Sequence, residues 1–199
     1  MTILPADHPR LWKRTYSHGE LVADAFVHAV AIVAGVIAFA YLFVRVSHVG
    51  AATDVLAMAV YAAGFFLLWG FSCAYNMVPP SPLKWLLRRF DHSCIYLMIA
   101  GTYTAIISQI GVSVWSGALI AVVWAGALAG AALKLLAPGR FDGLSIAIYL
   151  LLGWAGIVAI EPLVAVLPGL TLMLIVVGGA VYSVGVLFYK WHALKFQNA

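Results

Sequence analysis

From Pro162 to Tyr189 the chain carries no Asp, Glu, Lys or Arg, and the same holds from Ala25 to Val44 and from Gly143 to Ile160. About 20 consecutive apolar residues suffice to cross the roughly 30 Å hydrocarbon layer of a bilayer. Runs of this length leave one solvent in which the chain can fold: lipid. The whole sequence agrees, with 65% hydrophobic and 9% charged residues in 199, against roughly 25% charged in soluble proteins. A secreted globule, a nucleic-acid reader and a soluble enzyme are all excluded.

Gly, Pro and charge punctuation divides the chain into six helices, placed roughly at 21–44, 54–77, 92–110, 115–136, 143–161 and 168–190. The expected fold is all-α, a polytopic transmembrane bundle forming a single integral membrane domain over 1–199. Gly111, Ser113, Ser116 and Gly117 mark a turn between the third and fourth spans. Pro79, Pro80 and Pro82 close the second, and Pro162 and Pro168 bracket the fifth connection. No helix is expected to break in its middle. The N-terminal segment holds Asp7 and Glu20 and lacks a clean cleavage signal, so the first apolar run is expected to stay as a span.

The net charge of +4 reports orientation rather than an anionic partner. Arg10, Lys13, Arg14, Lys84, Arg88, Arg89, Lys134, Arg140, Lys190 and Lys195 fall on one side of the bundle, and Arg45 alone falls on the other. Basic loops favour the cytoplasm, which predicts both termini inside. Trp12, Trp85 and Trp191 then lie near the inner interface and Trp115 near the outer one. Cys73 and Cys94 are too few for a disulfide framework and are read as packing residues.

Ionisable groups inside spans are costly and point to function. Glu20, Asp24 and His28 are spaced by four, which puts them on one stripe of the first helix. Ser72 and Asn76 share a face near the end of the second. Asp91 is expected in the first turn of the third helix, where the helix dipole favours an anion. The topology sets all six at one depth in the cytoplasmic half of the membrane, with His28 slightly deeper and His192 able to approach from the sixth helix. The competing explanation of each residue alone is a cap or an interhelical hydrogen bond. Gly126 and Gly130 are expected to permit close helix approach, Gly178, Gly179 and Gly185 to form a tight interface on the sixth helix, and Glu161 to be a solvated loop charge.

The strings GELVADAFVHAVAIVAG (19–35), FSCAYNMV (71–78), LLRRFDHSCIYLMIAGTYT (86–104) and GGAVYSVGVLFYKW (178–191) resemble the hemolysin III family, within the wider group of progestin and adiponectin receptors and, more distantly, alkaline ceramidases. The resemblance runs over nearly the whole chain. It implies a seven-helix bundle with a zinc ion near the cytoplasmic side, held by a histidine at the end of helix two and an HxxxH pair at the start of helix seven. In this sequence Asn76 stands at the helix-two position, and the chain ends at LKFQNA before any such pair. Asp91 matches the aspartate that holds the zinc-bound water, while Glu20, Asp24 and His28 match the polar first-helix motif. His28 and His192 are the imidazoles left as candidate metal ligands.

Three functions follow as expectations. The first is a bacterial inner-membrane protein of membrane homeostasis or cytolytic, membrane-damaging action, whose partners are membrane lipids and a second copy of itself rather than nucleic acid. The second is a zinc-dependent hydrolase of lipid amides, with Asp91 and Ser72 as the catalytic pair. The third is a receptor-like scaffold in which the polar cluster is structural. Because the polar residues stop in one leaflet, a continuous pore is not expected.

Overall fold

The computed structural model describes residues 17–111, 113–137 and 141–190. These residues form six helical rods: α1 (His18–Val49), α2 (Ala52–Met77), α3 (Pro82–Ser108), α4 (Val114–Leu136), a fifth rod made of α5 (Asp142–Gly153) and α6 (Ile160–Val166) joined by a 3₁₀ turn, and α7 (Gly169–Lys190). Five stretches are long and apolar enough to cross a membrane: His18–Val49, Ala52–Met77, Val114–Leu136, Gly143–Val166 and Gly169–Phe188. α3 lies between α2 and α4 and packs along both. Its 27 residues reach about 40 Å at helical rise, long enough for a crossing. The protein is an integral membrane protein, an all-α polytopic bundle.

Short connections make successive rods antiparallel. One end of the bundle therefore collects the start of α1, the α2–α3 turn, the α4–α5 connection and the end of α7. Lys84, Arg88, Arg89 and Lys134 all lie there, and it is called the basic end below.

The third helix starts ten positions before the expected residue 92. Ser81 caps it, its Oγ accepting from the Lys84 amide at 3.2 Å, and Pro82 takes the first turn, where a missing N–H costs nothing. Asp91 accordingly sits about two and a half turns inside α3 rather than in its first turn, and the helix dipole does not account for it.

The fifth rod is the second departure. Expected as a continuous helix, it breaks at Trp154 and runs as a 3₁₀ turn over Ala155–Ala159. A break inside a membrane span exposes backbone groups that lipid cannot satisfy. Tyr103 of α3 meets that need: its hydroxyl donates to the Gly153 carbonyl at 3.1 Å and accepts the Gly156 amide at 2.6 Å. Pro162 lies within α6 rather than in a connection, near its start, where proline is tolerated. Glu161 is exposed, as expected, but in the first turn of that same helix.

The core sits between α3, α4 and α5, around Tyr96, Ala100, Val123, Ala127 and Leu152. Gly130 lets the Tyr96 ring lie against α4 and Gly126 faces Leu152, so this pair does serve packing, towards two different helices. A second cluster, Phe39, Tyr61, Phe65 and Phe66, fills the α1–α2 seam in the half away from the basic end, with ring centroids 5.1–5.6 Å from Phe39. Cys94 is buried and Cys73 half-buried, and both are free thiols. Phe26, Ile37, Leu56 and Leu151 are more than 60% exposed, which suits hydrocarbon and not water.

α7 is the exception to this packing. Among the described residues it packs against the fifth rod, and none of its span is buried. Of the three glycines expected to make a tight interface, Gly179 meets the Trp154 ring, whereas Gly178 and Gly185 meet nothing within 4 Å among the described residues. The Trp154 indole N–H, donating to Ser183 Oγ at 3.1 Å, supplies the polar tie.

Candidate functional site

The polar residues of α1 divide by role. Glu20 closes a capping box: its carboxylate accepts from the Ser17 amide at 2.9 Å and from the Ser17 hydroxyl at 3.0 Å, while its own amide donates to Ser17 Oγ at 3.2 Å. One and two turns deeper, Asp24 and His28 are each 4% exposed. His28 Nδ1 lies 2.8 Å from the Asp24 carbonyl oxygen and 3.5 Å from its Oδ1. The imidazole meets the edge of Trp69 on α2, ring centroids 5.5 Å apart at 77°.

Trp69, Ser72 and Asn76 follow one face of α2 at helical spacing. The Ser72 hydroxyl of α2 lies beside the carboxylate of Asp91 on α3, which is 9% exposed. Arg88, His28 and Asp24 lie near enough to Asp91 to act on it electrostatically. His92 Nε2 is 3.7 Å from the Asp91 carboxylate. Below it, Phe71 and Phe90 stack across the same seam, centroids 5.0 Å apart.

The two helices can approach this closely because Gly64 and Gly101 each put bare backbone against the other strand of the pair. A methyl at Gly64 would stand 3.1 Å from the Leu97 carbonyl oxygen, and one at Gly101 3.1 Å from that of Val60. At the basic end Lys84 closes the seam. Its ammonium donates to the carbonyls of Tyr75 (2.8 Å), Asn76 (3.2 Å) and Val78 (2.8 Å), taking up the unpaired C-terminal carbonyls of α2. It also lies within electrostatic reach of Asp24.

Of the residues expected to converge, Asp24, His28, Ser72 and Asp91 are brought together. Asn76 contributes its backbone carbonyl to Lys84, and Glu20 serves the start of α1. His192 lies outside the described residues, as do Arg10, Lys13, Arg14, Arg140 and Lys195, and with Trp12 and Trp191 they leave part of the charge and interface pattern undescribed. Two participants were not foreseen, Trp69 and Lys84. The spacing of Trp69 with Ser72 and Asn76 was the available signal for the first. For the second it was a lone lysine three residues after the Ser81 cap.

The donor set does not fit zinc. A zinc site needs three or four nitrogen, sulfur or carboxylate ligands in near-tetrahedral array. Among the described residues no three His, Cys, Asp or Glu side chains stand close enough to hold a metal ion. Asn76 supplies an amide where an imidazole would be required.

These features define a class: a helical integral membrane protein with a small buried polar site at the basic end of its α1–α3 core. The family model described as "Haemolysin-III related" matches residues 17–197. The chain is 33% identical over 180 residues to the "Hemolysin-3 homolog" of Bacillus subtilis (strain 168), covering 90% of this chain and 84% of that protein. It is 36% identical over 182 residues to "Hemolysin-3" of Bacillus cereus, covering 90% and 82%. The chain belongs to the hemolysin III family. No solved structure matches it significantly.

Proposed function

We propose that this protein acts on the membrane that holds it, in membrane homeostasis or membrane damage, through the buried polar site and not through a pore. The observation that carries this reading is the buried Asp24–His28 pair, 3.5 Å apart, with Asp91 and Ser72 beside it, at the basic end of a bundle whose α1–α2 seam is filled in its other half by Phe39, Tyr61, Phe65 and Phe66. The described residues of a single copy offer no continuous polar face, which conduction would need. The name of the Bacillus cereus relative supports the membrane-damaging form. The excess of Lys and Arg favours placing the basic end and the N-terminus on the cytoplasmic side of a bacterial inner membrane.

Purified protein in vesicles with entrapped dye tests the reading. Wild type should release dye gradually, and Asp91→Asn, which keeps the shape but removes the charge, should cut the rate by about tenfold, the effect of losing about 1.4 kcal/mol. Discrete conductance steps in planar bilayers, or an unchanged rate for Asp91→Asn with wild-type thermal stability, overturns it.

A second reading, hydrolysis of a lipid amide, is favoured by the Ser72–Asp91 pair lying next to an imidazole. Zinc would supply an activated water there, but the residues described do not form its site, and no step is assigned to it. Zinc bound stoichiometrically by purified protein would support this reading. The receptor-like alternative, a structural polar knot, predicts that Asp91→Asn loses folding and activity together. Self-association through α7 is a further proposal for this family member, open to test by cross-linking in membranes.

A further inference from the structure

We propose that His28, oriented by Asp24, is a built hydrogen-bond acceptor for a hydroxyl group delivered into the bilayer, from a lipid with a free hydroxyl below its headgroup or from water. This deepens the lipid-acting reading of the same site and rests on it for its biological meaning, though not for its test.

The tautomer follows from the contacts. A carbonyl oxygen can only accept, so the 2.8 Å contact from Nδ1 to the Asp24 carbonyl requires the proton on Nδ1, and the Asp24 carboxylate at 3.5 Å holds it on the same side. In the neutral ring Nε2 is then a bare lone pair. His28 Nε2 is fully buried and has no hydrogen-bond partner among the described residues. A buried acceptor without a donor demands an explanation, since nearly all such groups in proteins are paired. A donor that arrives from outside provides one.

Position indicates where it comes from. Among the described residues α1 packs on α2 alone, so its outer flank meets lipid. His28 lies ten residues from the start of α1, about 15 Å along a helix longer than the bilayer is thick, which sets it just beneath the headgroup layer. Trp69, half-buried and T-shaped to the imidazole with centroids 5.5 Å apart, covers it from α2. A diacylglycerol presents a hydroxyl at this depth.

Full-length protein labelled with ¹⁵N in histidine and ¹³C in aspartate carbonyls, reconstituted in phosphatidylcholine vesicles, provides the test by solid-state NMR. His28 is identified as the ring whose Nδ1 couples to an aspartate carbonyl carbon, so no variant is required, and His28→Gln confirms the assignment if it folds. The expected result is a protonated Nδ1, and an Nε2 resonance that shifts upfield when diacylglycerol is added but not with triacylglycerol. An Nε2 already hydrogen-bonded in every vesicle and sensitive to deuterium oxide assigns the donor to water and upholds the acceptor. A protonated Nε2, or a free-acceptor resonance under all conditions, overturns the proposal. None of these readouts depends on dye release, so a failure here and a failure of the membrane-acting role are told apart.

Discussion

The α2–α3 seam and α7 are built from the same apolar, glycine-bearing sequence, yet they end in opposite states. In the seam, Gly64 and Gly101 bring two backbones into contact, and Lys84, Ser72 and Asp91 add polar ties across it. Along α7, Gly178 and Gly185 meet nothing within 4 Å among the described residues, and the helix is tied through Trp154. Lipid tails compete equally for an apolar face in either place, so glycines alone do not create an interface between helices. What separates the two regions is a matching backbone on the other side and hydrogen-bonding groups at the same level. The polar site has grown on the seam that has both.

The comparison breaks most sharply at the glycines. Gly64→Leu forces a side chain into the backbone of α3 at 3.1 Å, and should destabilise by about 3 kcal/mol or prevent folding. Gly185→Leu, which meets nothing within 4 Å, should change stability by less than about 0.5 kcal/mol. Thermal unfolding in detergent measures both, and equal effects would remove the contrast. Lys84→Met should come next, at about 2 kcal/mol, since three carbonyls of α2 lose a charged donor. Faster amide exchange confined to the end of α2 would confirm the cause.

Tyr103→Phe should cost about 1–2 kcal/mol by leaving the Gly153 carbonyl and Gly156 amide unpaired in lipid, with exchange accelerated in the fifth rod rather than in α3. The smallest effect belongs to α7. Trp154→Phe removes one indole bond to Ser183, worth about 0.6 kcal/mol in a membrane. It should loosen α7 in site-directed spin-label spectra while leaving the seam unchanged.

Much of this was legible from the chain alone. Uncharged runs located the rods, and fourfold spacing placed Asp24 and His28 on one stripe, because both signals are local. α3 starts earlier than the sequence suggests for a definite reason: Lys84, Arg88 and Arg89 read as loop charges after the second span. In the folded chain they are the first turns of a helix whose long side chains serve a partner's C-terminus or lie over a ring, as Arg88 lies 5.4 Å from Trp85. The break in the fifth rod was hidden for the opposite reason. No proline announces it, and the hydroxyl that makes it tolerable belongs to another helix. Ser72 and Asp91 could be set at one depth from topology, but how near they come depends on how closely two backbones approach, which spacing does not encode.

The hydroxyl of Tyr103 both gives and receives a proton bond across the break, to partners 50 and 53 positions away in the chain. Neither phenylalanine nor an aliphatic residue reproduces that double valency. In a saturation screen, positions 103, 153 and 156 should therefore behave genetically as one locus. Second-site suppressors of a Tyr103 lesion should arise where they restore an unbroken fifth rod, not in the helix that carries the lesion.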